Sequence, residues 1–298
     1  MYDHLLDFPS PVERIVFRGE PFFLKRDDRI HSDFSGNKAR KFHYYLEQDL
    51  PEVHTIRSYG SPQSNAMYSL SVLARMRGWR FEYWVDHLSD FLRANPHGNY
   101  AAALANGMEL IVGKRDAEWT RPDPAEGILW IEEGGRQAEA AHGLRILASE
   151  IVAWQREEGI GQIDIFLPSG TGTTALYLRK ALIEIGASAT RVYTTPCVGD
   201  AAYLRRQFAM LERDVRYHPT ILDLPRKYHF GKLYREFYEI WIELHQQTGV
   251  VFDLLYDPKG WMTLMAHRKR LGANVLYLHQ GGLQGNESMI RRYQRRYP

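Results

Sequence analysis

Short apolar runs that indicate β-strands alternate with helical patterns along most of this 298-residue chain. The strand-like runs lie at residues 54–59, 80–85, 109–112, 127–131, 163–167, 191–195 and 274–279. Helical patterns fall between them, at residues 64–76, 137–155 and 173–185. Such alternation predicts an α/β fold with open, mostly parallel sheets flanked by helices. In these sheets the functional groups gather in the loops at the carboxyl ends of the strands.

The same alternation predicts two domains. Residues 50–159 contain several strand–helix units of their own and end in a helix with mixed charges, so they are predicted to form a small domain. Residues 1–49 and 160–298 are then expected to build the sheet of a large domain together.

Composition and charge exclude several classes of partner. The 38 basic and 36 acidic side chains leave a net charge of +2, too balanced to predict binding to nucleic acid or to a membrane. Cys197 is the only cysteine, which excludes an intrachain disulfide and a zinc–thiolate cluster. No His, Cys or Glu spacing predicts a metal site, and the arginine-rich run 291–297 predicts a solvated helix end. Without a signal-peptide pattern, a cytoplasmic location is expected.

A lysine stands where a strand-like run gives way to a helical pattern. Lys38 follows the apolar run 22–28 and lies in the stretch 35–41, which opens a helix with Phe42, Tyr45 and Leu46 on one face. A lysine at this position is most often a solvated charge in the first helical turn. The alternative is an amine kept for covalent chemistry.

A glycine–hydroxyl loop follows the strand-like run 163–167. Its residues Ser169, Gly170, Thr171, Gly172 and Thr173 lie directly before a helical pattern. Glycines let backbone N–H groups approach a phosphate, hydroxyls donate to it, and the helix dipole favours the anion. The spacing matches neither dinucleotide nor nucleotide loops. A phosphate monoester is therefore the preferred ligand, and a plain tight turn with a helix cap is the alternative.

Three further loops have both a structural and a functional interpretation. In Gln63-Ser64-Asn65, Ser64 or Asn65 is either the N-cap of the next helix or a side chain that points into a cleft. The run 257–260, Asp-Pro-Lys-Gly, is ordinary turn chemistry before a helix at residues 261–267. His279, which ends the last strand, is either a hydrogen-bonded core histidine or a site residue.

Five loops occur in one order from near one end of the chain to near the other. They are Gly36-Asn37-Lys38, Gln63-Ser64-Asn65, the 169–173 loop, Tyr256 with Lys259, and His279 with Gly281 and Gly282. As a set they resemble the pyridoxal-phosphate family that contains 1-aminocyclopropane-1-carboxylate (ACC) deaminase and D-cysteine desulfhydrase. The resemblance implies a two-domain tryptophan synthase β-like fold (fold type II), with pyridoxal 5'-phosphate in the large domain. It also implies a homodimer that acts on a small amino acid.

The resemblance assigns the cofactor site. It makes Lys38 the Schiff-base lysine and Asn65 the partner of the cofactor's ring oxygen. It assigns the binding of the cofactor's phosphate to Ser169, Gly170, Thr171, Gly172 and Thr173. An amine must lose its proton to attack an aldehyde, and burial beside the cations of Arg40 and Lys41 is expected to favour the neutral form of Lys38.

The resemblance also assigns the substrate site. Ser64 would lie at the substrate carboxylate and act in catalysis, with Gln63 and His279 nearby. Tyr256 would stack near the reacting carbons or assist proton transfer.

Asp257 bears on the choice of reaction. It stands where the deaminases carry a glutamate that faces the pyridine nitrogen, and a carboxylate there makes the ring a strong electron sink. The desulfhydrase-like members instead have a threonine after the histidine, where this chain has Gln280. Neither pattern is complete, and Asp257 tilts the prediction toward the deaminase.

The leading hypothesis is therefore an enzyme that converts an ACC-like amino acid to a 2-oxo acid and ammonia. The sequence supports a second hypothesis almost as well, a D-cysteine desulfhydrase that forms pyruvate, sulfide and ammonia. A pyridoxal-phosphate-binding protein whose catalysis has decayed is a third alternative, motivated by Ala66 and Gln280. A sugar-phosphate enzyme that uses the glycine loop alone would be colourless.

Overall fold

A computed structural model describes residues 6–34, 36–114 and 126–297 of the chain, so Ser35 lies outside the described residues. The strands are β1 Val12–Phe17, β2 Glu20–Arg26, β3 Thr55–Tyr59, β4 Arg80–Val85, β5 Met108–Val112, β6 Ile128–Ile131, β7 Asp164–Ser169, β8 Arg191–Pro196, β9 Thr220–Ile221 and β10 Val275–His279. The α-helices are α1 Gly36–Glu47, α2 Asn65–Arg77, α3 Asp90–Ala94, α4 Gly98–Ala105, α5 Ala140–Glu157, α6 Thr173–Glu184, α7 Ala201–Leu211, α8 Arg235–Thr248, α9 Asp257–Ala266 and α10 Asn286–Arg296. Within these ranges no helix is long and apolar enough to cross a membrane.

The strands form two sheets, and both are dominated by parallel pairing. The larger sheet has six strands in the order β1-β2-β10-β7-β8-β9, and only β1 runs antiparallel to its neighbour. The smaller sheet has four parallel strands in the order β5-β4-β3-β6. This confirms the predicted α/β class. The domain boundaries at residues 49/50 and 159/160 stay a prediction: the strands divide between the sheets as expected, but α5, expected in the small domain, packs on the larger sheet.

Helices cover both faces of the larger sheet. Every residue of β7 is buried, as expected for a central parallel strand. One face packs on the apolar sides of α5 and α6, and the other packs on α8 and α9 around Trp261. The carboxyl end of β7 is therefore held rigidly where the glycine–hydroxyl loop begins.

Two strands and one helix start differ from the prediction. β1 was missed because it is an edge strand with charged residues and Val16 exposed, and β9 because it has only two residues. The prediction of a turn at residues 257–260 is wrong, because these residues form the first turn of helix α9. Pro258 fits there because the N–H that proline lacks has no partner in a first helical turn.

Helices α1 and α5 are in backbone contact. A Cβ atom on Gly143 of α5 would fall 1.9 Å from the Arg40 carbonyl oxygen of α1, so glycine is required for this approach. Beside the contact, Arg40 donates to Asp27 at 2.8 Å and to Glu150 at 2.6 Å, and all three side chains are buried. Glu150 also accepts from the buried amine of Lys25 at 2.6 Å. This network fixes the orientation of α1.

Candidate active site

A cavity of about 1050 Å³ opens where the loops of the two sheets face each other. It collects side chains from the starts of α1 and α2, from the β7–α6 loop and from the segment before α9. The predicted site residues that line it are Lys38, Gln63, Ser64, Asn65, Ser169, Gly170, Thr171, Gly172, Thr173, Tyr256 and Asp257. His279 is the predicted residue that the structure does not bring to this cavity.

Lys38 presents an amine with a lowered proton affinity to the cavity. Its Nζ lies 3.4 Å from Asn37 Oδ1, in the first turn of α1. Burial lowers the pKa of Lys38 to about 8, although the carboxylate of Asp253 opposes the shift. A useful fraction of the amine is therefore neutral near pH 8.

Arg40 and Lys41 do not act on the pKa of Lys38 in the way that the sequence predicted. Arg40 points away from Lys38 into its buried ion pairs, so it does not contribute to the shift. Lys41 hydrogen-bonds Lys38 and donates to the Gly134 carbonyl at 2.9 Å. Burial and the Lys38 charge hold the pKa of Lys41 well below its usual range. Burial thus favours the neutral form of both amines.

The glycine–hydroxyl loop has the geometry of an anion cradle. β7 ends at Ser169, and α6 begins at Thr173, so the first N–H groups of a 12-residue helix face the cavity. Gly172 has a φ of 75°, and a Cβ atom there would fall 2.4 Å from the ring of Phe208. Thr171 and Thr173 link their hydroxyls at 3.0 Å. A phosphate monoester fits this cradle.

The Ser169 hydroxyl does not face the cradle. It lies 2.6 Å from the Thr194 hydroxyl, buried between two strands. Ser169 therefore offers the cavity its backbone, and the side-chain donors of the loop are the two threonines.

The loop before α2 combines both of its predicted interpretations. Ser64 is the N-cap, since its Oγ accepts from the Ala66 N–H at 3.1 Å, and it also lines the cavity. Gln63 donates to the His97 carbonyl at 3.2 Å. These bonds fix the loop on the wall of the cavity.

Asn65 is oriented by partners on both sides. Its Oδ1 accepts from Asn99 at 2.6 Å, and its amide N–H donates to Asp253. The orientation of this side chain is thus set by α4 and by the segment before α9.

Two carboxylates lie together beside the cavity. Asp257 accepts from the Tyr277 hydroxyl at 2.7 Å and from the Asp253 N–H at 2.9 Å. Burial, and then the charge of Asp253, raise the pKa of Asp257 well above its usual range. Asp253 accepts from the N–H groups of Leu255 and Tyr256 at 2.8 and 2.6 Å, and burial raises its pKa to about 6.

Tyr256 lies against the glycine loop. A Cβ atom on Gly170 would fall 3.5 Å from its hydroxyl, and the Phe230 ring lies 5.2 Å from its own ring. Burial raises the pKa of the phenol, so Tyr256 carries its proton at neutral pH. Tyr256 can therefore donate a hydrogen bond or a proton into the cavity.

The histidine after β10 is a core residue. His279 is fully buried, donates from Nε2 to the Val251 carbonyl at 2.8 Å and accepts the Gly281 N–H at Nδ1 at 3.2 Å. Its ring also stacks on Phe252. This is the alternative that the sequence left open for His279. Lys259 is likewise buried outside the cavity, where it pairs with Asp223 at 2.9 Å.

Gln280 ties three site segments together. Its amide donates to the Pro168 carbonyl at 2.7 Å, and its side-chain oxygen accepts from Asn37 at 2.9 Å. A Cβ atom on Gly36 would fall 1.8 Å from the Gln280 carbonyl oxygen, so α1 starts in contact with the end of β10. Gln280 thereby holds the turn that carries Lys38.

Several cavity residues carried no predicted role. Asp253 could have been found from its place three residues before Tyr256, where an aspartate binds the following N–H groups. Lys41 was predicted only as a charge beside Lys38, and its place in the cavity wall could have been found from its position one helical turn after Lys38. The solvated basic helix end is in fact the rim of the cavity, which Arg291, Arg292 and Arg295 of α10 line.

No protein-family model matches the chain, but curated relatives do. One from Thermotoga maritima, named "Putative 1-aminocyclopropane-1-carboxylate deaminase", is 25% identical over 310 residues, covering 95% of this chain and 97% of the relative. A relative of the same name from Pyrococcus abyssi is 23% identical over 307 residues, covering 94% of this chain and 91% of that relative.

Solved structures show the same fold. The crystal structure of an ACC deaminase homologue superposes with a TM-score of 0.79 at 20% identity, covering 98% of this chain and 94% of the other. A threonine deaminase from T.th. superposes with a TM-score of 0.65 at 17% identity, covering 92% of each chain. The resemblance inferred from the loops is confirmed as a similarity: over nearly its whole length the chain is similar to relatives named putative ACC deaminases, and it has the tryptophan synthase β-like fold.

Proposed function

We propose that this protein is a pyridoxal-phosphate-dependent deaminase that converts an ACC-like amino acid and water to a 2-oxo acid and ammonia. One observation carries the proposal. A single cavity holds a lysine amine whose pKa is about 8 and, facing it, a glycine–hydroxyl loop at the N-terminus of α6. An amine of this kind attacks aldehydes, and a loop of this kind binds phosphates.

The residues present fit the cofactor. The N–H groups of residues 170–173, with the Thr171 and Thr173 hydroxyls, would hold its phosphate. Lys41 would regain its proton beside that anion and add a charge-assisted hydrogen bond, while Asn65 would donate to the ring oxygen. Pyridoxal phosphate held here supplies an aldehyde that captures the substrate amine and a ring that accepts the electrons released at the substrate carbon.

The remaining cavity residues have separate tasks. Lys38 in its neutral form would take or return a proton at the substrate carbon. The Ser64 hydroxyl accepts a backbone N–H and hydrogen-bonds the Tyr83 side chain, so it would turn its proton from Tyr83 to a substrate carboxylate. The neutral phenol of Tyr256 would donate a proton to a developing carbanion.

Asp257 supports D-cysteine desulfhydration as a second candidate. Both of its oxygens are hydrogen-bonded within the protein, and its raised pKa favours the uncharged acid. An uncharged acid does not keep a pyridine nitrogen protonated, which weakens the electron sink that ring opening needs. Elimination of sulfide from D-cysteine has a good leaving group and depends less on that sink.

Two product assays decide between these activities. ACC is expected to yield 2-oxobutanoate and ammonia, whereas D-cysteine would yield pyruvate, sulfide and ammonia. The holoenzyme should favour ACC in kcat/KM. A reversed preference supports the desulfhydrase, and a yellow protein that turns over neither substrate supports decayed catalysis.

The cofactor itself is tested by spectroscopy. Purified protein incubated with pyridoxal phosphate should show the visible absorption band of the lysine-bound cofactor. A colourless protein that takes up no added pyridoxal phosphate contradicts the proposal and favours the sugar-phosphate alternative. The cytoplasmic location and the homodimer remain predictions.

A further inference from the structure

Two histidines and a glutamate converge at the end of α1 that is remote from Lys38. They are His43 and Glu47 of α1 and His142 of α5. Their ligand atoms all lie within 4.8 Å of one another. Glu47 Oε2 lies 3.5 Å from His43 Nδ1 and also contacts His142 Nε2 directly. This cluster is separate from the cavity residues, and the proposed function does not use it.

The backbone holds the three side chains together. His43 and Glu47 are four residues apart, which places them on one face of α1. His142 precedes Gly143, where α1 and α5 are in backbone contact. The rings of His43 and His142 are stacked at 5.6 Å, and the Phe8 ring packs edge-on against His43. The ligand positions therefore require little rearrangement before an ion could bind.

We infer that His43, Glu47 and His142 form a binding site for a divalent transition metal, with Zn²⁺ as the expected ion. Two imidazoles and one carboxylate are a ligand set that Zn²⁺ takes in proteins, with water as the fourth ligand. The side chains of Glu47 and His142 are 25% and 35% exposed, so an ion and its water can reach the site. His43 is nearly buried and fixes the inner ligand.

The site serves structure and not the chemistry of the cavity. Glu47 is nine residues from Lys38, which is about 13 Å along a helix. An ion bound by both His43 and His142 would cross-link α1 and α5, and it would thereby stabilise the helix that carries Lys38. The competing explanation is a hydrogen-bonded triad in which Glu47 pairs with the histidines and no ion binds.

Calorimetric titration with zinc chloride tests the inference. Holoenzyme prepared without a histidine tag and freed of metal by a chelator should bind about one Zn²⁺ per chain, and its melting temperature should rise. Glu47→Gln keeps the shape of the side chain and should weaken binding at least roughly tenfold, as should His142→Ala. Cobalt in place of zinc should give the intense visible bands of tetrahedral coordination.

Two matched variants separate this site from others. His87→Ala removes an exposed histidine elsewhere and should leave zinc binding unchanged. Lys38→Ala, which removes the amine proposed to bind the cofactor, should also keep it, so the result does not depend on the proposed function. No zinc binding to the wild type, or equal binding to wild type, Glu47→Gln and His142→Ala, would overturn the inference and leave the hydrogen-bonded triad.

Discussion

Lys38 and Arg40 lie two residues apart on α1, and their cations have opposite surroundings. Positions two apart are about 200° apart around a helix, so the side chains leave on opposite faces. Burial alone would lower the pKa of Arg40, but the carboxylates of Asp27 and Glu150 outweigh it and raise that pKa. At Lys38 the charge of Asp253 and the hydrogen bond with Lys41 do not outweigh burial, which lowers the pKa to about 8. One face of the helix therefore stabilises the fold, and the other presents a reactive amine.

The largest expected effect comes from the amine. Lys38→Ala should lower kcat/KM for ACC by roughly 1000-fold or more, because it removes both the covalent attachment and the proton carrier. The melting temperature of the cofactor-free protein should not fall, since a buried charge has been removed. Steady-state kinetics and thermal unfolding of both proteins measure this. Retained activity would show that another group does the chemistry.

A substitution of Arg40, on the opposite face of α1, should lower the stability of the fold. Arg40→Met leaves Asp27 buried without its paired cation and Glu150 with Lys25 alone, which should cost about 3–5 kcal/mol in the free energy of unfolding. Urea denaturation measures the loss. The control Arg14→Met breaks an exposed pair with Glu158 and should cost less than about 1 kcal/mol. Equal losses for the two variants would contradict the structural role of the buried network.

The lowered pKa of Lys38 predicts how cofactor uptake depends on pH. Only the neutral amine attacks the aldehyde, and the folded-state pKa of about 8 lies below the ordinary value of 10.5. The rate of attachment should therefore rise about tenfold per pH unit below pH 8 and level off above it. Stopped-flow absorbance of the cofactor-free protein records the profile. A rise that continues to pH 10 would mean that burial has not shifted the amine.

The smallest expected effect concerns the anion cradle. Gly172→Ala forces a side chain into a positive φ and against Phe208, so the dissociation constant for pyridoxal phosphate should rise roughly tenfold. Gly249→Ala is a matched control, because Gly249 has a φ of 70° with nothing within 4 Å of the added Cβ atom. An unchanged affinity in Gly172→Ala would show that the phosphate lies elsewhere.

Local patterns predicted the frame of the site, and long-range packing determined the rest. The strand, the glycines and the helix start at residues 169–173 are adjacent in sequence, so the cradle could be predicted from them. The ion pair that Arg40 forms with Glu150 joins residues that are 110 positions apart in the sequence. The burial of His279 and the meeting of His43 with His142 likewise arise only when distant elements pack. A short stretch of sequence therefore shows which charged and polar side chains are close along the chain. Which of them form ion pairs, and with which partners, is determined by the fold.

Borohydride reduction followed by peptide mass spectrometry tests the central claim most directly. Lys38 and Lys41 lie in the same cavity, and burial lowers the pKa of both, so the two sites must be distinguished chemically. Reduction of the holoenzyme should fix one pyridoxyl group on the peptide at Lys38, and Lys41→Ala should keep that label. A label on Lys41, or no label on either lysine, would contradict the assignment of Lys38 as the amine that binds the cofactor.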